Sequence, residues 1–158
     1  MKPKLRCYDE ADWPQILDLW IATWSRIRPE IDFVARAPWL AGLFQEQRAL
    51  GAQIMVAEDL SGPIGFVLFD PARHWLEQIA VAPRALGSGA AQALIATVKQ
   101  ACPTGFGLDV NADNFRALAF YRVEGFVAVG TGRNPLSGAP TVVLHWEPAG
   151  APAQIAAM

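Results

Sequence analysis

The stretch from residue 75 to residue 111 constrains the fold of this chain more than any other part of the sequence. Apolar runs at 75–82 and 106–111 predict two strands, and the second run alternates apolar with small or polar residues. Between them, apolar residues at helical spacing predict a helix that ends before Pro103. Two strands joined by a helix should run parallel through a right-handed crossover.

The turn that joins the first strand to this helix is rich in small residues, and residues 82–91 read APRALGSGAA. The first turn of a helix leaves backbone N–H groups without intrahelical partners and carries a partial positive charge. Gly87 and Gly89 have no side chains that would keep a ligand away from this backbone. The sequence therefore predicts a phosphate-binding turn built from main-chain groups.

Other interpretations of the two glycines exist. The glycines could simply permit a tight turn between a strand and a helix. A P-loop is excluded, because no lysine follows the second glycine. A dinucleotide-binding fingerprint stays open, since Asp109 lies about twenty residues downstream. Against it, Gln92 stands where that fingerprint has glycine or alanine, and about seventy residues precede the motif strand.

Periodicity, capping residues and turn residues predict the remaining elements. Ahead of this stretch they are a strand at 4–9, a helix from Asp12 to Trp24, a helix that begins at Pro38 and ends before Gly51, and a hairpin of strands at 53–58 and 64–69. After it come a helix at 114–124 and strands at 126–132 and 140–147. The order βααβββαβαββ predicts an α/β fold with a central mixed sheet of six to seven strands and about four flanking helices.

Length and composition limit the class of protein. A chain of 158 residues predicts one domain at 1–147 and a disordered Ala/Pro-rich tail at 148–158. A net charge of −2 gives no reason to expect a nucleic-acid partner, and no apolar run is long enough for a membrane helix. Cys7 and Cys102 show no metal-ligand spacing, so we expect reduced thiols, no metal and a cytoplasmic location.

Two motifs resemble the cofactor-binding motifs of the GNAT N-acetyltransferase superfamily. Residues 84–89, RALGSG, resemble the acyl-CoA pyrophosphate loop of that superfamily. Residues 114–126, NFRALAFYRVEGF, are similar to its second cofactor motif, and the order and spacing of the two motifs also agree. The resemblance covers roughly residues 4–147. It implies acetyl-CoA as co-substrate, entering where the two parallel strands splay apart.

The resemblance also implies which residues hold acetyl-CoA. Backbone amides from Leu86 to Ala90 would bind the pyrophosphate, and Arg84 would approach the phosphates or simply be solvated. The main chain of Val81 would pair with the pantetheine arm, and a backbone N–H near Ile79 would polarise the thioester carbonyl. The complete set implied is Ile79, Val81, Arg84, Leu86, Gly87, Ser88, Gly89, Ala90, Asn114, Ala117 and Phe120.

Asn114 and Tyr121 each have two interpretations. Asn114 stands where a helix-capping residue would stand, and by resemblance its amide would bind the pantetheine. Tyr121 shares a helix face with Ala117 and Phe120 and could be a core residue. By resemblance Tyr121 is the general acid. A phenol with a pKa of about 10 stays protonated at neutral pH and can donate to the departing CoA thiolate, whose thiol titrates at about 8.5.

An amine acceptor resembling lysine has a pKa of about 10.4, so only roughly one molecule in 10³ is nucleophilic at neutral pH. Glu77, on the strand that leads into the glycine turn, is the candidate base, acting directly or through a water. It could equally be a solvated or structurally paired carboxylate. His74, just before that strand, is the second candidate.

Acceptor recognition is expected from the first two helices, their connection and the last hairpin. Trp24 and Arg26 are the candidates, although tryptophan is more often core and arginine more often solvated. Arg26 or Arg28 could bind a carboxylate of the acceptor. The acceptor is expected to be a small-molecule or peptide amine. A homodimer is also open, since six tryptophans leave room for an apolar interface.

These observations predict an N-acetyltransferase that works by direct transfer in a ternary complex. No cysteine or serine shows the surroundings of a nucleophile, so no covalent acyl-enzyme is expected. Two alternatives remain. A non-catalytic acyl-CoA-binding sensor or partner protein would leave Glu77 and Tyr121 idle, and a nicotinamide oxidoreductase would use the glycine turn for a dinucleotide.

Overall fold

Seven strands and four α-helices make up the part of the chain that the computed structural model describes, residues 2–150. They follow one another in the predicted order, with short 3-10 turns added at Glu10–Asp12 and Pro83–Ala85. The chain divides into two compact units between Val98 and Lys99. Of the tail predicted to be disordered, 148–158, residues 151–158 lie outside the described residues.

The first unit begins with two helices between its strands. Its elements are β1 Lys4–Cys7, α1 Trp13–Ile27, α2 Ala37–Ala49, β2 Gln53–Asp59, β3 Gly62–Asp70 and β4 Trp75–Val81. The helix α3, Ala90–Ala101, crosses the division. The second unit holds β5 Phe106–Asn111, α4 Phe115–Val123, β6 Val127–Arg133 and β7 Pro140–Trp146. The predicted α/β class and element order are confirmed.

The sheet of the first unit has the order β1-β2-β3-β4, and each neighbouring pair is antiparallel. β3 is an inner strand, and residues 64–70 are all buried. This explains why its sequence is a continuous apolar run rather than an alternating one. The helix α1 packs on β3 and β4. The fully buried side chains of this core include Ile16, Leu40, Val56, Phe66, Leu68 and Phe69.

One residue of β4 has no partner on β3. Leu68 lies opposite Gln78 and Phe69 lies opposite Leu76, so Glu77 is an extra residue between two paired positions. An extra residue of this kind is a β-bulge, which bends the strand and redirects a side chain. The predicted base therefore stands at the irregular point of the strand that leads into the glycine turn.

The sheet of the second unit has the order β5-β7-β6, again antiparallel. Its core is aromatic: the rings of Phe106 and Tyr121 each pack edge-on against Phe126, at centroid distances of 5.3 and 5.2 Å. The predicted turn at Gly125, which closes α4, is present with φ +95°. The sequence also predicts that β4 and β5 run parallel. These two strands belong to different units, and their pairing stays a prediction.

The start of α1 differs from the expectation. Asp12 was predicted to cap this helix, but its side chain makes no capping hydrogen bond to it. Asp9 instead caps the preceding 3-10 turn through the N–H of Ala11. The Asp12 carboxylate accepts hydrogen bonds from the Asp9 N–H and the Arg6 guanidinium. The Asp12 carboxylate is thus engaged by Arg6 and by the Asp9 N–H, and Asp9 provides the cap one turn earlier.

Candidate active site

The glycine turn adopts a backbone conformation that requires glycine. Gly87 has φ +82° and Gly89 has φ +88°, in the left-handed region that other residues rarely occupy. A Cβ atom added at either position would meet no other atom within 4 Å. The glycines are therefore needed for the path of the chain and not for close packing, and the space above them is open.

Donor groups of this turn are left without acceptors. Within residues 2–150 the backbone N–H groups of Gly87 and Gly89 have no hydrogen-bond acceptor. The N–H of Ser88 bonds to the carbonyl of Ala85 at 3.1 Å, and the Ser88 hydroxyl accepts from the Ala90 N–H at 3.3 Å. Two unpartnered donors at the positive end of α3 are suited to an anion such as a phosphate.

Arg84 lies at the start of this turn but makes its contacts elsewhere. Its guanidinium is 3.0 Å from the Asp59 carboxylate and 3.5 Å from the Pro63 carbonyl, at the turn between β2 and β3. Hydrogen bonds from the Ser61 hydroxyl and from Arg84 lower the pKa of Asp59 to about 2. Arg84 is therefore ion-paired rather than simply solvated, and its expected approach to phosphates stays a prediction.

Glu77 is held by an arginine that the sequence analysis did not single out. The Arg73 guanidinium lies 3.2 Å from the Glu77 carboxylate, 2.9 Å from that of Asp70 and 2.5 Å from the Gln47 side-chain oxygen. Asp70 is only 2% exposed. Burial opposes its ionisation, but hydrogen bonds from the Arg73 side chain and from the Arg73 and Ala72 N–H groups outweigh burial and lower its pKa.

The paired interpretation of Glu77 is thus confirmed, and it does not exclude a catalytic role. The signal that could have revealed Arg73 is the spacing Asp70-x-x-Arg73-x-x-x-Glu77, which follows the end of β3. The contact with Gln47 on α2 has no such signal. His74, the second candidate base, has φ +53° and is the one non-glycine residue with a positive φ in the described part of the chain.

The other candidates on β4 occupy regular positions in the sheet. Ile79 lies opposite Val67 and Val81 lies opposite Gly65, beyond the bulge. Gln78, next to the bulge, accepts a hydrogen bond from the indole N–H of Trp20 at 3.4 Å, which ties β4 to α1. The backbone roles expected of Ile79 and Val81 stay predictions.

Asn114 caps α4. Its side-chain oxygen accepts a hydrogen bond from the Ala117 N–H at 3.2 Å, as the capping interpretation predicts. This contact uses the oxygen and leaves the NH₂ group of the side chain as its donor. Ala117 and Phe120 are half-buried on the same helix. The expected contacts of these three residues with a cofactor stay predictions.

Tyr121 is buried, and its ring packs against Phe120 and Phe126 at centroid distances of 5.3 and 5.2 Å. Burial raises the pKa of its phenol. No group within residues 2–150 hydrogen-bonds to its hydroxyl, and the hydroxyl oxygen is not among the fully buried atoms that lack a partner. The residue therefore belongs to the core, as one interpretation predicts, and also carries a proton donor that the described protein groups leave available.

The acceptor candidates lie on α1. Trp24 stacks on Phe33 with a centroid distance of 6.1 Å. Its indole nitrogen is the one fully buried side-chain nitrogen or oxygen without a hydrogen-bond partner in the described part of the chain. Arg26 is exposed near the end of the helix, and Arg28 pairs with Glu30 at 2.6 Å. Trp24 is thus half-buried against Phe33, with a buried indole N–H that has no acceptor in the described part of the chain.

Residues 2–150 contain neither a metal-binding cluster nor a membrane-spanning helix. No group of three or more His, Cys, Asp or Glu side chains is arranged to hold a metal ion. No helix in this part of the chain has the length and apolar character needed to span a membrane.

The sequence model of the acetyltransferase (GNAT) family matches residues 13–126. This chain belongs to the GNAT acetyltransferase family. The matched region runs from the start of α1 to the turn after α4, so it contains both motifs identified in the sequence. Comparison with curated protein sequences gave no match.

Several solved structures share the GNAT fold of this chain. A GCN5-related N-acetyltransferase from Rhodopseudomonas palustris is 17% identical, with a TM-score of 0.77 over 94% of this chain and 97% of that chain. A ribosomal-protein-alanine N-acetyltransferase from Brucella melitensis is 22% identical, with a TM-score of 0.68 over 92% and 99%. A phosphinothricin acetyltransferase from Sinorhizobium meliloti, in complex with AcCoA, is 20% identical, with a TM-score of 0.69 over 93% and 89%. At these identities the similarity shows the fold alone.

The glycine turn of this GNAT family member fits the diphosphate of acetyl-CoA. The N–H groups of Gly87 and Gly89 lack acceptors in the described protein, and the space above both glycines is open. A main-chain cradle needs no cluster of basic side chains, which agrees with a chain whose net charge is −2.

Proposed function

We propose that this chain transfers the acetyl group of acetyl-CoA to a primary amine by direct attack, with no covalent acyl-enzyme. The observation that supports this most strongly is the glycine turn. It combines left-handed glycines, unpartnered N–H groups and a helix N-terminus within the region that matches the GNAT family. The rival dinucleotide interpretation is less favoured, because the turn lies within residues 13–126, which match the GNAT acetyltransferase family.

Binding of the co-substrate is assigned to main-chain groups. In the segment from Leu86 to Ala90, the N–H groups of Gly87 and Gly89 would hold the diphosphate, because they lack protein acceptors. The N–H groups of the other three residues already bond to Pro83, Ala85 and the Ser88 hydroxyl. The β4 backbone at Ile79 and Val81 would bind the pantetheine and polarise the thioester carbonyl. Bound acetyl-CoA supplies an acetyl group that is activated as a thioester.

Glu77 is assigned the removal of the proton from the amine. Glu77 stands at a bulge in β4, the strand that leads into the glycine turn, and a bulge commonly redirects a side chain. The neighbouring Arg73 guanidinium, at 3.2 Å, favours the ionised carboxylate, which is the form that accepts a proton. The amine nitrogen then forms the new bond to the acetyl carbon as its proton passes to Glu77, directly or through a water.

Tyr121 is assigned the donation of a proton to the departing sulfur of CoA. Burial raises the pKa of its phenol, so the hydroxyl carries its proton throughout the neutral range. As the carbon–sulfur bond breaks, the phenol donates this proton to the departing sulfur, and CoA leaves as the thiol. Solvent returns a proton to the phenolate before the next turnover, so the proton balance closes.

The acceptor is proposed to be a small-molecule or peptide amine that contacts α1. The exposed Arg26 would attract a negative charge of the acceptor, and the half-buried ring of Trp24 would contact its apolar part. Both acceptor classes have precedent in the structural neighbours, one a phosphinothricin acetyltransferase and one a ribosomal-protein-alanine N-acetyltransferase.

The proposal is tested by placing a carboxylate in the glycine turn. Gly89→Asp should weaken CoA binding at least about tenfold in isothermal titration, because it sets a negative charge against the diphosphate. Gly51→Asp is the matched control: Gly51 also has a positive φ, +102°, and also has no atom within 4 Å of an added Cβ. Both variants therefore share the backbone strain, and only the first should lose affinity.

Catalysis is tested separately, by the release of CoA thiol from acetyl-CoA over a panel of primary amines. Release that depends on an amine supports the proposal. CoA binding without any release would favour the non-catalytic sensor. Wild-type protein that binds no CoA, or a Gly89→Asp variant that binds it as tightly as wild type, would overturn the assignment of the glycine turn.

A further inference from the structure

Arg73 lies in the short connection between β3 and β4, one helical-turn spacing (i, i+4) before Glu77. The carboxylate of Asp70, the last residue of β3, holds it twice. It accepts hydrogen bonds from the N–H groups of Ala72 and Arg73 at 3.0 and 3.2 Å, and from the Arg73 Nε at 2.9 Å. Asp70 is buried, so its carboxylate is a fixed point in the packed core. The main chain and the guanidinium of Arg73 are therefore both anchored to the end of β3.

The same guanidinium also reaches α2 and β4. Its Nη2 atom lies 2.5 Å from the side-chain oxygen of Gln47 and 3.2 Å from the carboxylate of Glu77. Gln47 is buried on α2, so Asp70 and Gln47 anchor the guanidinium from two different elements. A guanidinium is planar and presents its donors in a rigid fork. Two anchors therefore fix its plane, and with it the direction from which Nη2 meets Glu77.

The backbone that follows Arg73 is irregular at two points. His74, the next residue, has φ +53°, in the left-handed region that non-glycine residues rarely occupy. Strand pairing resumes at once, since Trp75 lies opposite Asp70, and the bulge at Glu77 follows. Strained backbone persists only where its surroundings enforce it, and it is concentrated at functional sites. The geometry of this connection thus favours a functional role for the side chain that it holds in place.

We propose that Arg73 is the positioning residue of Glu77: it directs the carboxylate toward the bound amine and keeps that carboxylate ionised. Because Glu77 is the base only in the proposed function, this role rests on that function. The guanidinium contacts the Oε1 atom of Glu77, and an ion pair of this kind favours the charged form of a carboxylate. Asp70 and Gln47 act one step further away, since they contact Arg73 and set the direction of its guanidinium.

The charges of this cluster determine how it should respond to a substitution. Two carboxylates share one guanidinium, so loss of Arg73 leaves Glu77 near an uncompensated negative charge at Asp70. The two helices contribute neutral groups, since Gln47 of α2 contacts Arg73 and Trp20 of α1 contacts Gln78. The other charged or titratable side chains of α1, α2 and the connection are exposed: Asp18, Arg26, Glu46, Arg48 and His74. Without Arg73, Glu77 should therefore take up its proton at higher pH.

The first test follows proton uptake by Glu77 with carbon-13 NMR of the full chain, and Glu77→Gln identifies the Glu77 signal. In Arg73→Gln the midpoint of this titration should move to higher pH by at least about 0.5 pH unit. Arg48→Gln is the matched control, because Arg48 is also ion-paired and its side chain is 41% exposed, against 49% for Arg73. This control should leave the midpoint unchanged. A folded Arg73→Gln protein with an unmoved midpoint overturns the proposal.

Steady-state kinetics with acetyl-CoA and an amine test the positioning. Arg73→Gln should lower kcat about tenfold and leave the KM for acetyl-CoA unchanged. Added to Glu77→Gln, it should cause no further loss; a further tenfold loss overturns the proposal, because Arg73 then acts independently of Glu77. Arg73→Lys keeps the charge but not the planar fork, so it should lower kcat without moving the midpoint. If Arg73→Gln does not fold, Arg73→Lys decides, and a wild-type kcat in that variant overturns the proposal.

Failure of the proposed function gives a different result from failure of the role of Arg73. A wild type that releases no CoA with any amine overturns acetyl transfer, and the role of Arg73 in it falls as well. Amine-dependent release by the wild type, together with a wild-type kcat and midpoint in Arg73→Gln, overturns the role of Arg73 alone.

Discussion

Tyr121 shows how one side chain can serve the core and still suit catalysis. Its ring packs against two aromatic neighbours, while its hydroxyl has no hydrogen-bond partner within residues 2–150. The same burial that stabilises the ring raises the pKa of the phenol, because a phenolate would be poorly solvated there. Packing and proton donation therefore act in the same direction at this residue.

Removal of the Tyr121 hydroxyl should separate these two roles. Tyr121→Phe keeps the ring contacts, so the free energy of unfolding should change little. Turnover should fall about 10²-fold with an unchanged KM for acetyl-CoA, as expected for the loss of a general acid. Because the pKa of Tyr121 is raised, its titration should cause no loss of rate below about pH 10.

The control for this variant is the other tyrosine, Tyr8→Phe. Burial raises the pKa of Tyr8 to about 12, yet Tyr8 lies next to β1 and outside both motifs. Steady-state kinetics of both variants decide the question. Equal turnover in Tyr121→Phe and wild type would remove the general acid while leaving the fold and the CoA site in place.

Replacement of Glu77 should produce a loss of rate that depends on pH. Glu77→Gln should lower turnover about 10²-fold at pH 7. The deficit should shrink as the pH approaches about 10, because an amine that has already lost its proton needs no base. Glu46→Gln, on the exposed face of α2, is the control. A deficit that is the same at every pH would indicate a structural role through Arg73.

At the scale of elements, the agreement between sequence and structure is close wherever the signal is local. The continuous apolar run of β3 and the left-handed glycines after α2 and α4 follow directly from residue preferences. The extension of α1 to Ile27, beyond the predicted end at Trp24, was missed, because apolar spacing records only the buried face of a helix. The bulge at Glu77 has no local signal, since it exists only in the register with β3.

Replacement of glycine by alanine should have opposite effects on stability at Gly65 and at Gly42. A Cβ at Gly65 in β3 would lie 2.9 Å from the Ala80 carbonyl oxygen and 3.2 Å from a Leu94 methyl, so Gly65→Ala should destabilise the protein by about 1–3 kcal/mol. A Cβ at Gly42 in α2 would meet nothing within 4 Å, so Gly42→Ala should stabilise it by about 0.5–1 kcal/mol. Urea denaturation of both variants measures the difference, and equal effects would contradict the close approach of β4 to β3.

At the scale of the whole molecule, stability should fall in acid. Hydrogen bonds from Arg6 lower the pKa of Asp12 below its ordinary value of 3.8, and the pKa of the buried Asp70 is lowered as well. A carboxyl whose pKa is lower in the folded state stabilises the fold above its unfolded pKa. This stability should be complete above about pH 5 and should be lost as the pH falls through the folded pKa values.

Asp12→Asn tests this sign. It removes the ion pair with Arg6, so at pH 7 the free energy of unfolding should fall by about 1–3 kcal/mol. Below pH 4 the variant should lose less additional stability than wild type, because one of the protonating groups is gone. Asp18→Asn, exposed on α1, is the control and should leave both quantities unchanged. Parallel acid profiles for wild type and Asp12→Asn would contradict the assignment.

The sequence by itself determined the order of the elements and the position of the glycine turn, and it offered the cap of α4 by Asn114 as one of two interpretations. These follow from φ preferences, capping and short-range spacing, which act between residues close in the chain. Its two motifs resemble those of the GNAT family, to which the family match assigns the chain. Only the tertiary structure decided that Glu77 stands at a bulge beside Arg73, that the Tyr121 hydroxyl has no partner in the described protein, and that Arg84 pairs with Asp59. Each of these depends on strand register and on contacts between distant residues, which no local pattern records.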